Sequence, residues 1–233
     1  MTDVTARLSE VRARIRVVCK IAVRSEETVR LVAVSSGHPP SVVREAYAGG
    51  QRDFGEFVMD DLVNKAKELQ DLPEIRWRFI GQLKHTRTKD AARIGCTVDS
   101  ISSEREAIAL NRRAQAFGRT VDVMIRVNLA AEKQKAGCTV PEVAQIARAI
   151  RSMDKLRLIG LLTIPPAVSE PELSRPWFRR LRLLGNQLSL NEFSMGMSDD
   201  LEVAIEEGAT MIRVGTALFG RRNSGGFAYG VSP

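Results

Sequence analysis

Short apolar runs alternate with stretches of helical periodicity along most of the chain. The opening, MTDVTARLSEVRARIRVVCK, interleaves apolar with charged positions, and this predicts an amphipathic helix over Val4–Cys19. Eight runs then read as buried strands: Leu31–Ser36, Arg52–Glu56, Trp77–Gly81, Cys96–Ser100, Val121–Asn128, Leu156–Ile164, Glu192–Gly196 and Thr210–Gly215. Between them, PSVVREAYAGG, EREAIALNRRAQAFG and PEVAQIARAIRSM return to the helical period. Pro40 and Pro141 stand where helices start, and Gly49 and Gly118 where they stop, as the conformations of Pro and Gly favour.

Eight strand–helix units predict a (β/α)8 barrel of the TIM type, preceded by one extra helix. An open doubly wound sheet is the alternative, but it would carry a glycine-rich loop after an early strand, and SSGHPP is not one. No Pro/Gly/Ser-rich linker divides residues 1–233, so one domain is expected. A barrel gathers its chemistry at the carboxyl ends of its strands. Those ends are Ser36, Glu56, Gly81, Ser100, Asn128, Thr163, Gly196 and Gly215.

Composition narrows the classes. The 233 residues are 44% hydrophobic and 27% charged, enough for a real core. No apolar run is long enough to span a bilayer, and the charged N-terminal helix is not a signal peptide. Cys19, Cys96 and Cys138 are scattered and show no C-x-x-C spacing. A reducing cytoplasm is expected, with no metal and no disulfide. The net charge of +7 suits an anionic ligand. Nucleic acid ranks low, because aromatics are few and no basic run interleaves with them. The sequence points to no protein partner.

The last two strand ends carry the clearest chemistry. Strand seven runs into Ser194-Met195-Gly196-Met197-Ser198, and strand eight into Arg213-Val214-Gly215-Thr216. Barrels often hold phosphate with these two loops. Gly196 and Gly215 let backbone N–H groups approach an anion, while Ser194, Ser198 and Thr216 offer hydroxyls. Ser198 before Asp199 and Asp200 equally fits a helix N-cap. Arg213, two residues before Gly215, faces the same side of its strand. It could meet a ligand or pair with a strand carboxylate such as Glu56.

Taken together, LVAVS, GQRDFGE, WRFIGQL, ALNRRA, IRVN, LIGLLTIP, RPWFRRLR and above all FSMGMSDDLEVAIEEGATMIRVGTALFG resemble the pyridoxal-phosphate homeostasis proteins. These are single-barrel relatives of the alanine-racemase N-terminal domain. The resemblance implies pyridoxal 5′-phosphate at the barrel mouth. It implies phosphate contacts at Ser194, Gly196, Gly215 and Thr216, and Arg213 against the pyridine nitrogen. The family pattern after VAVS is lysine, threonine, lysine, proline; this chain has Ser36, Gly37, His38 and Pro39. Ser36 therefore stands where the family's aldehyde-binding lysine would be, and a hydroxyl cannot form a Schiff base. The family's asparagine after FGE is Phe57 here, followed by Val58.

Three functions follow as expectations. The first is a non-catalytic vitamin B6 carrier or regulator that holds a small phosphorylated ligand without a covalent bond. The second is a cofactor-free interaction protein on the same fold. The third is a phosphometabolite enzyme or racemase; a racemase would need the missing lysine and a further β-domain, yet the chain ends soon after strand eight. Lys135 is a substitute amine or a solvated loop charge. A further alternative is that Phe57 fills part of the ring space and the site takes another phosphorylated ligand. His38 and His85 read as surface residues, and Glu56 either orients a ligand or balances Arg213.

Overall fold

The structure is a computed structural model and describes residues 3–221. The sequence after residue 221 lies outside the described residues. Helix α1 spans Asp3–Ile21. Eight strands follow: β1 Arg30–Val34, β2 Asp53–Glu56, β3 Arg76–Phe79, β4 Thr97–Ile101, β5 Val121–Arg126, β6 Leu156–Leu162, β7 Glu192–Ser194 and β8 Met211–Val214. They close into a parallel barrel in chain order, with β1 pairing β8. The helices between them are α2 Pro40–Ala48, α3 Met59–Glu68, α4 Thr88–Ile94, α5 Glu104–Ala116, α6 Val140–Arg151, α7 Arg175–Gln187 and α8 Leu201–Glu206. After β8 comes the short α9, Thr216–Phe219. The expected barrel and extra helix are both present.

The strands read as continuous apolar runs because both faces are buried. On β1, Leu31 and Ala33 pack into the layer shared with the helices. Val32 points the other way and meets Met124, Met211 and Ile159 in a separate cluster. That cluster marks the inner face of β1, β5 and β8 and fills the barrel at that level. Alternation then puts Arg213, two residues beyond Met211, and Arg126, two beyond Met124, on the inner face nearer the mouth.

Helix α1 buries Val4, Leu8, Val11, Ile15, Val18 and Cys19 against α8, α9 and α2. Its arginines reach across to the barrel's closing end. Arg14 holds Glu202 through Nε at 2.7 Å and donates Nη2 to the Ser198 carbonyl at 2.9 Å. The extra helix therefore braces the loop after β7.

Every strand differs from its expected range by one or two residues at one end or both, and two of these shifts bear on the site. β1 stops at Val34, so Ser36 does not end the strand. It lies in a turn closed by His38 N–H donating to Ser35 O at 3.0 Å, with Gly37 at φ +77°. Glycine is the residue that takes that conformation without strain. β7 likewise ends at Ser194, two residues before Gly196.

Candidate functional site

Arg213 is a buried cation on the β8 side of the mouth. It is 4% exposed, donating Nη1 to Ser194 Oγ at 2.8 Å and Nη2 to Thr163 O at 2.9 Å. Those two bonds use two of its five N–H groups. Burial pulls its pKa down to about 10, so it is still cationic at neutral pH. Its hydrogen bonds go to neutral oxygens, not to Glu56, which corrects the ion pair considered from the sequence. Asp99 and Asp200 act on it only through space.

The loops after β7 and β8 lie against each other. Ser198 Oγ accepts from Ala217 N–H at 3.4 Å, so the first loop touches the start of α9. Gly196 has φ +89°, and a Cβ there would collide with the Ala204 methyl. Glycine is needed at this bend for both reasons. The N-cap reading of Ser198 is corrected: α8 begins at Leu201 with Asp200 as its N-cap. Asp200 Oδ1 folds back to accept from Met197 N–H at 2.7 Å, and burial raises its carboxyl above the usual range. Gly196 and Ser194 are buried, Ser198 and Gly215 are half-buried, and Thr216 is exposed at the rim. The structure thus gathers Ser194, Gly196, Ser198, Arg213, Gly215 and Thr216 at one edge of the mouth.

The opposite chemistry occupies the β1–β2 edge. Glu56 is fully buried. Its Oε1 accepts from Ser35 Oγ at 2.5 Å and from Lys65 Nζ at 2.7 Å. Its Oε2 accepts from Ser36 Oγ at 3.0 Å. Lys65, from α3, also donates to Ser35 O at 2.6 Å and is 4% exposed. Ser36 Oγ in turn accepts from Phe57 N–H at 2.6 Å. Burial raises the Glu56 carboxyl, against the opposing pull of Lys65 and the two serine hydroxyls. Glu56 is therefore balanced by Lys65. Ser36 is buried and bonded on both sides. Phe57 and Val58 are half-buried; the Phe57 carbonyl passes so close to Gly81 that a Cβ at Gly81 would strike it.

Across the barrel, Arg78 and Asp99 form a buried bidentate pair, both bonds 2.8 Å. Arg126 at the end of β5 is half-buried. Lys135 is not a solvated charge: it pairs with Glu132 at 2.6 Å and donates to Pro165 O at 2.8 Å. His38 lies tilted against the Phe219 ring, centroids 5.5 Å apart. His85 lines an outer cavity of about 380 Å³ beside α5, with Glu104, Arg105 and Arg112. It does not join the mouth residues.

The sequence matches the family model for the alanine racemase N-terminal domain over residues 7–223. It is 40% identical over 227 residues to the pyridoxal phosphate homeostasis protein of Pseudomonas aeruginosa, covering 97% of this chain and 98% of that one. This chain belongs to the pyridoxal phosphate homeostasis protein family. The family member of Aquifex aeolicus is 37% identical, covering 93% of this chain and 97% of that protein. PipY of Synechococcus elongatus, solved with pyridoxal phosphate bound, superposes with a TM-score of 0.81 at 32% identity. That match covers 93% of this chain and all (100%) of PipY. The Pseudomonas and Aquifex proteins are named for homeostasis of pyridoxal phosphate, not for a reaction.

Three groups at the mouth escape sequence reasoning: Lys65, Arg126 and the Arg78–Asp99 pair. Lys65 leaves a trace, since it follows Met59 and Leu62 at three-residue spacing on the buried face of α3. Arg126 leaves one too, at i+2 from a Met inside a strand. The Arg78–Asp99 pair joins separate strands and leaves none.

Proposed function

We propose that this protein binds pyridoxal 5′-phosphate reversibly at the barrel mouth and serves as a vitamin B6 carrier or regulator, without catalysis. It is read as one barrel domain over residues 1–233 and as a cytoplasmic protein. Support for that setting comes from three buried free thiols and from the lack of any membrane-spanning helix among the described residues. The observation that carries the reading is the buried Arg213 beside two loops bent at Gly196 and Gly215.

The residues present fit the cofactor's phosphate and ring nitrogen. Backbone N–H groups around Gly196 and Gly215, with the hydroxyls of Ser194, Ser198 and Thr216, would hold the phosphate. Arg213 would meet the pyridine nitrogen. At neutral pH the Arg213 guanidinium is protonated and only donates, so that nitrogen would be held unprotonated and the ring kept a weak electron sink. The bound group supplies an aldehyde and an electron-withdrawing ring. Ser36 offers that aldehyde no amine, and the Lys65 amine is engaged by Glu56 and Ser35 O. Reversible contacts alone must then offset the cost of immobilising the ligand. Restrained chemistry and release on demand suit a carrier.

Thr216→Arg would push a long side chain from the rim into the phosphate loops. It is expected to weaken pyridoxal-phosphate binding at least tenfold while leaving the melting temperature near wild type. Unchanged affinity would remove the phosphate from these loops. Wild-type protein with no affinity for pyridoxal phosphate would overturn the carrier reading in favour of an interaction protein.

A further inference from the structure

The charges of the mouth do not cancel. Lys65 is matched by Glu56, and Arg78 by Asp99. Asp200 is tied to Met197 N–H. Arg213 bonds only neutral oxygens. Arg126 has no hydrogen bond or ion pair from its guanidinium among the described residues, although it is half-buried. It shares the inner face of β5 with Met124, which touches Val32 and Met211 in the barrel centre. It lies within electrostatic reach of Arg213, whose cationic form it disfavours, while Asp99 and Asp200 favour that form through space. Arg126 is thus the cation of the mouth that no carboxylate offsets among the described residues, and its partial burial is costly unless an anion meets it. The ligand phosphate is assigned to the loops of the β7–β8 edge. A second anion is called for at the end of β5.

We propose that Arg126 binds a carboxylate, and that the ligand class is a 5′-phosphopyridoxyl compound joined to an amino acid. The inference rests on the pyridoxal-phosphate reading of this site and deepens it. A guanidinium presents paired N–H donors that match a carboxylate's two oxygens. The absence of an amine at Ser36 supplies the other half of the argument. In the cell the aldehyde of pyridoxal phosphate condenses with the amine of a free amino acid; a C=N bond replaces the C=O bond and one water leaves. A chain with a lysine at position 36 would compete for that aldehyde. This chain leaves it to the free amino acid, whose carboxylate then needs a cation. Arg126 supplies it on the opposite side of the barrel from Ser36.

The test compares two stable ligands that differ by one carboxylate: N-(5′-phosphopyridoxyl)glycine and N-(5′-phosphopyridoxyl)methylamine. Titration calorimetry on the full chain is expected to show the glycine compound binding on the order of tenfold or more tightly, the worth of a charge-assisted contact. Arg126→Gln should erase that preference while leaving the methylamine compound within about twofold of its wild-type affinity. Arg126→Met, which keeps the side-chain bulk, guards against a misfolded first variant and should behave alike. Equal affinities in the wild type, or a preference that survives both substitutions, would overturn the assignment while leaving the carrier reading standing. Failure of the folded wild type to bind either compound would overturn both.

Discussion

Ser36 Oγ donates to Glu56 Oε2 at 3.0 Å while Lys65 Nζ holds the other carboxylate oxygen at 2.7 Å. The residue that lacks an amine is thus wired to one that has it, through a single buried carboxylate. Ser36 is not an idle gap in the turn after β1. It fixes the turn after β1 to the start of the loop after β2, because it also accepts from Phe57 N–H.

The Glu56–Lys65 pair should act as a unit. Glu56→Ala leaves a buried ammonium uncompensated and is expected to cost about 3–5 kcal/mol in urea unfolding. Replacing both, as Glu56→Leu with Lys65→Met, removes the two charges together and should cost less than the single change. Strictly additive losses would show that the pair is not coupled.

Ser36→Lys should create a covalent link to pyridoxal phosphate, detected as a borohydride-fixed mass increase mapped to residue 36. The lysine gives up the two Ser36 bonds, so a modest loss of stability is expected alongside, about 1–3 kcal/mol. Phe57 borders the same turn, and Ser36→Lys with Phe57→Asn should react more completely. If neither variant is labelled while both still bind the cofactor, position 36 does not face the aldehyde.

Binding should trace the ionisation of Arg213. Its cationic form is the one that attracts an anionic ligand, so affinity holds while it is protonated and falls as pH rises past about 10. On the acid side, affinity should climb through about pH 6 as the ligand phosphate gains its second charge. Arg213→Met should bind weakly and lose the alkaline fall. An alkaline fall of the same size in that variant would assign it to another group.

The eight strands are legible because barrel strands bury both faces and read as plain apolar runs between helical segments. The meeting of the loops after β7 and β8 is legible because Gly196 and Gly215 stand just past two strands whose neighbouring place in a barrel is known in advance. What the sequence hides is set by tertiary reach. Ser198 and Asp200 both fit a helix N-cap, and the start of α8 at Leu201 selects Asp200. Glu56 is two strands from Arg213 in the barrel order but one helix from Lys65, so its partner depends on how α3 docks. Lys135 sits in a polar loop, and only the fold brings Pro165 O within its reach.

The central claim is that the cofactor is held without a covalent bond to the chain. Wild-type protein should be loaded with pyridoxal phosphate, treated with borohydride, and weighed intact beside an untreated sample dialysed against buffer. The account predicts saturable binding, complete loss of the cofactor on dialysis, and no mass increase after reduction. A stoichiometric phosphopyridoxyl adduct on the wild-type chain, at Lys65 or any other lysine, would contradict it.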